Sequence, residues 1–180
     1  MKNILLSVVM LIFSSSSILS QDEIYFTQHA TLTINGNYND QAVKMQTNDL
    51  SIKLDYETTE IIIRFQLGTL ETNFDPIIEY LHNNLKEVVF KGELGLEFIN
   101  TKKHPPLNFD FQGWLELPEE KKLIKGKGEL HHIGDSDQIA CMLGLVLNLN
   151  FKELDIELPV KFEDDFEVIV TNAILQTDKF

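Results

Sequence analysis

Cysteine is nearly missing from this 180-residue chain. With Cys141 alone, no intramolecular disulfide can form, and a packed core has to carry the stability. Basic residues are also scarce: 15 Lys and Arg stand against 28 Asp and Glu, a formal charge of −13. A nucleic-acid surface needs a basic stripe to neutralise phosphates, so that class is excluded, and anionic membranes are disfavoured for the same reason. The one basic cluster, Lys121, Lys122, Lys125 and Lys127, places Lys125 and Lys127 on a strand face with Leu123, as a solvated edge does. The longest apolar run at the start, Ile4 to Phe13, falls short of the roughly 20 residues that a membrane-crossing helix needs.

That run has another reading. Lys2 precedes it, and Ser14 to Ser17 lead on to Ser20 and Gln21, the order of charge, apolar stretch and small residues found in secretory signals. The competing reading is a retained N-terminal anchor. The expectation is a signal over residues 1–20 and one domain over 21–180, periplasmic or secreted, with no cysteine placed for an acyl anchor. A domain of that size buries a substantial core, and its acidic surface favours solubility.

Alternation with a period of two dominates the remainder. In Thr59–Leu70 one face carries Ile61, Ile63, Phe65 and Leu67, the other Glu60, Ile62, Arg64 and Gln66. Val88–Ile99 groups Val88, Phe90, Leu94, Leu96 and Phe98, and Leu107–Leu117 groups Leu107, Phe109, Phe111, Leu115 and Leu117. Such segments are strands with one face on a core and one on water. Weaker alternation recurs in Thr31–Gly36, Leu50–Tyr56, Lys152–Leu158 and Phe166–Leu175. Ile139–Leu149, which contains Leu143 and Leu145, reads as a strand apolar on both faces, a buried helix being the other choice. Turns are expected at Asn35–Asn37, Glu57-Thr58, Lys103–Pro106, Pro118–Glu120 and Gly134–Ser136. Short connections favour antiparallel neighbours, and long strands favour a twisted sheet or barrel. One segment departs from this pattern: Asp75-Pro76 opens a short amphipathic helix over about Pro76–Asn84. The residues therefore read as all-β and antiparallel, a strongly twisted sheet or a barrel, with one short helix.

Chemical motifs are few. There is no nucleophile elbow, P-loop, dinucleotide fingerprint or H-E-x-x-H. His131 and His132 with Asp135 and Asp137 are the nearest approach to a metal motif, but adjacent strand residues point to opposite faces. His29, His82 and His104 lie in separate segments, and Cys141 reads as an inert buried thiol. Neither a catalytic residue, a metal nor a cofactor is expected. Trp114, alone of its kind, shares a strand face with Asp110, Gln112 and Glu116, as a contact surface or as cover for a strand edge.

The order of segments resembles the YceI-like family of exported lipid-binding barrels. The resemblance runs from about Thr31 to Leu175. It rests on Ile61–Thr72 followed by Pro76–Leu85, on Gly92-Glu93-Leu94 leading to Thr101–Leu107, and on Phe151–Ile156 with Phe166–Ala173. The family's Arg-Asp-x-His-Leu element is absent, and Leu154-Asp155-Ile156 replaces its Phe-Gly-Ile. The resemblance implies the fold class, an antiparallel extended β-barrel of lipocalin type with one short helix, and a non-catalytic carrier holding an isoprenoid or other long-chain amphiphile in the barrel. Alternation supplies inward candidates for lining it: Ile63, Phe65, Leu67, Leu94, Leu96, Phe98, Phe109, Phe111, Leu143 and Leu145. The alternative is an envelope module for structure or protein contact, with a solid interior. Oligomeric state stays open.

Overall fold

A computed structural model describes residues 24–100, 104–116, 120–133, 139–155 and 158–177. The expected signal, and the turns at Pro118-Glu119 and Gly134–Ser136, lie outside the described residues.

The chain forms a closed antiparallel barrel. Its strands are β1 (Ile24–Tyr38), β2 (Gln41–Asp55), β3 (Glu60–Gln66), β4 (Glu71–Thr72), β5 (Glu87–Leu94), β6 (Leu107–Glu116), β7 (Lys121–His132), β8 (Ile139–Asn150) and β9 (Asp165–Thr177). Eight of them close in the order β1-β9-β8-β7-β6-β5-β3-β2 and back to β1, because β1 pairs with both β9 and β2. The two-residue β4 resumes the line of β3 along β2 after a 3-10 turn, Leu67–Thr69. Helix α1 (Asp75–His82) follows, burying Ile77 and Leu81.

Bulges give the wall its curvature. Register shifts between Thr27 and Leu32 insert extra residues first in β1 and then in β2, and Asn172 at φ 55° marks another shift in β9. Each shift changes which alternate residues face inward, so β2 buries Val43, Met45 and Thr47 and then Leu50, Ile52 and Leu54. The shifted residues are tied together: the Thr31 hydroxyl donates to Asn48 Oδ1 at 2.9 Å and accepts from Asn172 Nδ2 at 3.3 Å.

Several expected boundaries move. The first hairpin turns at Asn39-Asp40, both at positive φ (50° and 61°), not at Asn35–Asn37. This primed turn matches the strand twist, and Asn and Asp tolerate the left-handed region. Gly36 belongs to β1, where a β-carbon would lie in ordinary contact, 3.8 Å, with Phe162 and Phe166. Strand β3 ends at Gln66, so Leu67 sits in the 3-10 turn, which Thr69 pins by donating to the Gln66 carbonyl at 2.8 Å. Strand β5 ends at Leu94 and the chain bends; Ile99 turns inward in place of Phe98, which is 63% exposed. Phe151–Asp155 is a turn, so no strand occupies the described part of Lys152–Leu158. The run from Ile139 is a strand, with Leu143, Leu145 and Leu147 buried and Met142 and Val146 facing out.

Candidate functional site

The inner face is apolar on every wall strand. Of the ten residues expected to line it, Ile63, Leu94, Phe109, Phe111, Leu143 and Leu145 are buried in the core. Phe65, Leu67 and Leu96 are half-buried and pack against that core. Phe98 is the exception, on the outside for the reason given above.

Rings fill part of this interior. The walls β5, β6 and β7 carry glycines at inward positions, and a β-carbon on Gly126 would lie 2.5 Å from the Phe111 ring. One on Gly113 would lie 2.6 Å from the Phe90 ring. The two rings meet edge to face with centroids 5.8 Å apart. Missing side chains on the wall thus make room for aromatic rings over it.

Both barrel ends are closed by aromatic groups. At the end near α1, Tyr38, Phe74, Phe151, Phe162 and Phe166 cluster, with Tyr38 and Phe74 4.9 Å apart and Phe151 stacked on Phe166 at 4.1 Å. Phe162 joins them from the β8–β9 connection, 5.7 Å from Phe74. At the opposite end Tyr25 stacks on Tyr56 at 4.0 Å, and Ile99 is held inward by its amide donating to the Tyr56 carbonyl at 2.9 Å.

This second end also gathers chemistry that the sequence kept in separate segments. The connection after Ile99 brings His104 to Cys141: Nε2 and Sγ are 3.4 Å apart. His132, last residue of β7, lies opposite Cys141 in the ladder, and the three ligand-type atoms fall within 4.8 Å of one another. His131 points the other way, to Glu129 at 3.1 Å, as alternation requires. Burial pushes the Cys141 thiol above its ordinary range, which the nearby Tyr56 hydroxyl partly opposes. Burial likewise raises the Tyr56 phenol. Spacing alone hid this cluster, because His104 and Cys141 meet only once β5–β6 and β7–β8 are in register. The signal that was readable is the placement of His132 at a strand end with Cys141 just beyond the next turn.

On the outer surface Trp114 lies opposite Leu123, both about half exposed (51% and 50%). An open groove of about 840 Å³ runs beside them over the outer faces of β5 to β8, rimmed by Glu93, Asp110, Lys125 and Lys127. Its charged rim is unsuited to an acyl chain.

Chain closure, an apolar inner face and, among the described residues, one short α-helix define the class: an extended lipocalin-like β-barrel, the YceI-like fold that the sequence resembles. Among solved structures, the chain is similar to a polyisoprenoid binding domain from Saccharophagus degradans implicated in plant cell wall breakdown, with TM-score 0.63 and 9% identity over 87% of this chain and 98% of that one. It is also similar to BcnA of Burkholderia cenocepacia, with TM-score 0.57 and 6% identity over 82% of this chain and 96% of that one. At these identities the likeness is one of fold. No protein-family model matches the sequence, and no curated protein does either.

Proposed function

We propose that the protein is an exported, non-catalytic carrier that holds a long apolar or amphiphilic molecule, of isoprenoid or acyl type, within the barrel. The observation that carries this reading is a closed barrel with an apolar inner face, a fold it shares with a polyisoprenoid binding domain. Each buried methylene would contribute about 0.8 kcal/mol, so a chain of roughly ten offsets the usual cost of association. The ligand takes the place of rings that now lie over the glycines of β5 to β7, and it enters where Phe162 covers the end near α1. Export is part of the proposal and rests on the charge, apolar run and small residues at 2–21.

The test is native mass spectrometry and solvent extraction of protein isolated from its own envelope, followed by loading with prenyl and fatty-acyl amphiphiles. A stoichiometric lipid adduct is expected. Protein that is repeatedly ligand-free and ignores both amphiphiles overturns the carrier reading. Finding Met1 retained on envelope-derived protein overturns export.

The Trp114–Leu123 pair favours a second reading, a module for protein contact in the envelope, since two large apolar groups side by side on an outer face mark a contact surface. Loss of a co-purifying protein partner on Trp114→Ser, with lipid binding unchanged, supports that reading over the carrier.

A further inference from the structure

We infer that His104, His132 and Cys141 form a binding site for a single monovalent copper ion, at the barrel end opposite α1. The donor set is one sulfur and two imidazoles, a soft combination that selects Cu(I) or Zn(II) over hard ions. Bonds of about 2.0–2.3 Å to a shared ion put ligand atoms roughly 3.5 Å apart. Cys141 Sγ and His104 Nε2 already lie at 3.4 Å, and all three atoms lie within 4.8 Å, so small side-chain rotations close the site.

Two further observations point the same way. His104 Nδ1 is 2.7 Å from the carbonyl of Pro105, which only accepts, so Nδ1 carries the proton and Nε2 presents its lone pair to Cys141. Metal-binding histidines are held in just this manner, by the other ring nitrogen donating to a carbonyl or carboxylate. The second observation is polar atoms left without partners. Among the described residues, the buried side-chain atoms lacking a hydrogen-bond partner are Tyr56 Oη, His132 Nδ1 and Thr177 Oγ1. All of them are at this end: Tyr56 lies against Cys141, His132 is opposite it, and Thr177 is opposite Tyr25. Buried groups in that state normally answer to an ion, a ligand or a water.

Charge chooses the ion. Cys141 is fully buried, and among the described residues no carboxylate joins the cluster. A thiolate with Cu(I) is neutral in that setting. With Zn(II) it leaves a net positive charge, which burial disfavours, and it leaves a fourth position to fill.

The experiment is an anaerobic titration of the purified, reduced protein with Cu(I) held by the chromogenic competitor bicinchoninate. One copper per chain is expected to leave the competitor. Cys141→Ser, His104→Gln and His132→Gln should each weaken binding by about tenfold or more, with His29→Gln and His131→Gln unchanged. Circular dichroism establishes that each variant is folded. X-ray absorption of the copper-loaded wild-type protein provides a readout that needs no variant: one sulfur and two imidazole nitrogens are expected at the copper. No copper withdrawn, equal binding by Cys141→Ser, or a copper shell without sulfur overturns the site. Preferential one-to-one uptake of Zn(II) or Co(II) by the same residues overturns the assignment to copper.

Discussion

Single side chains in this barrel carry contrary strains that simple substitutions resolve. Tyr56 is fully buried with its hydroxyl unpartnered. Deleting that oxygen removes an unsatisfied group, so Tyr56→Phe should stabilise the metal-free protein by about 1 kcal/mol, read as a higher urea midpoint. Asp40 occupies the left-handed region at φ 61°. Asp40→Gly gives the hairpin the residue that this turn prefers and should add about 0.4–1 kcal/mol in the same assay. Glu116 accepts from Lys121 at 2.8 Å and from Lys91 at 3.1 Å, and these two, Lys121 foremost, hold its carboxyl below the ordinary value of 4.5. A depressed carboxyl stabilises the fold above its unfolded value and loses that contribution as pH falls through the folded one. Glu116→Gln should therefore lower stability slightly at neutral pH, and the difference from wild type should close as pH falls below 4.5.

At the scale of strands and turns, the pairing of bare wall and overlying ring is the feature most open to test. Gly126→Ala would drive a methyl group into the Phe111 ring from 2.5 Å away and should cost about 1–3 kcal/mol. In a Phe111→Leu background the cost should shrink, a coupling that a double-mutant cycle measures. The strands themselves were legible because period-two alternation registers a half-buried wall: the faces of β6, with Phe109 and Phe111 inward, follow directly from it. The helix was legible from Asp75-Pro76. Alternation fails where the backbone shifts parity. Phe98 reads as inward because Gly95, which allows a bend, does not fix that the strand ends there and brings Ile99 in instead. The Asn35-Gly36-Asn37 signal points to a turn that the structure makes three residues later, because Asn39-Asp40 takes the left-handed pair that the hairpin needs. The inward facing of nine of the ten candidate residues was legible because it depends on local periodicity. The His104–His132–Cys141 cluster was not, since it depends on register between strands distant in sequence.

For the molecule as a whole, the closing ladder joins the two ends of the sequence, with Tyr25 beside Thr177 and Phe26 beside Gln176. Hairpins such as β1–β2 or β6–β7 can assemble locally, whereas the β1–β9 seam waits for the final strand. Contacts of such long sequence separation make folding slow. Until the seam forms, β1 and β9 each present an unpaired edge able to capture a strand from another chain. The seam thus makes the last strand of the barrel a timer on its solubility: a chain with only β1 through β8 in place is a sheet, not yet a container. Linking the start of β1 to the end of β9 and reopening the chain at Asn39-Asp40 would turn that seam into a hairpin. Such a permutant moves the long-range closure to β1–β2 and should still refold slowly in stopped-flow fluorescence, because a closed barrel keeps one such seam wherever it is opened.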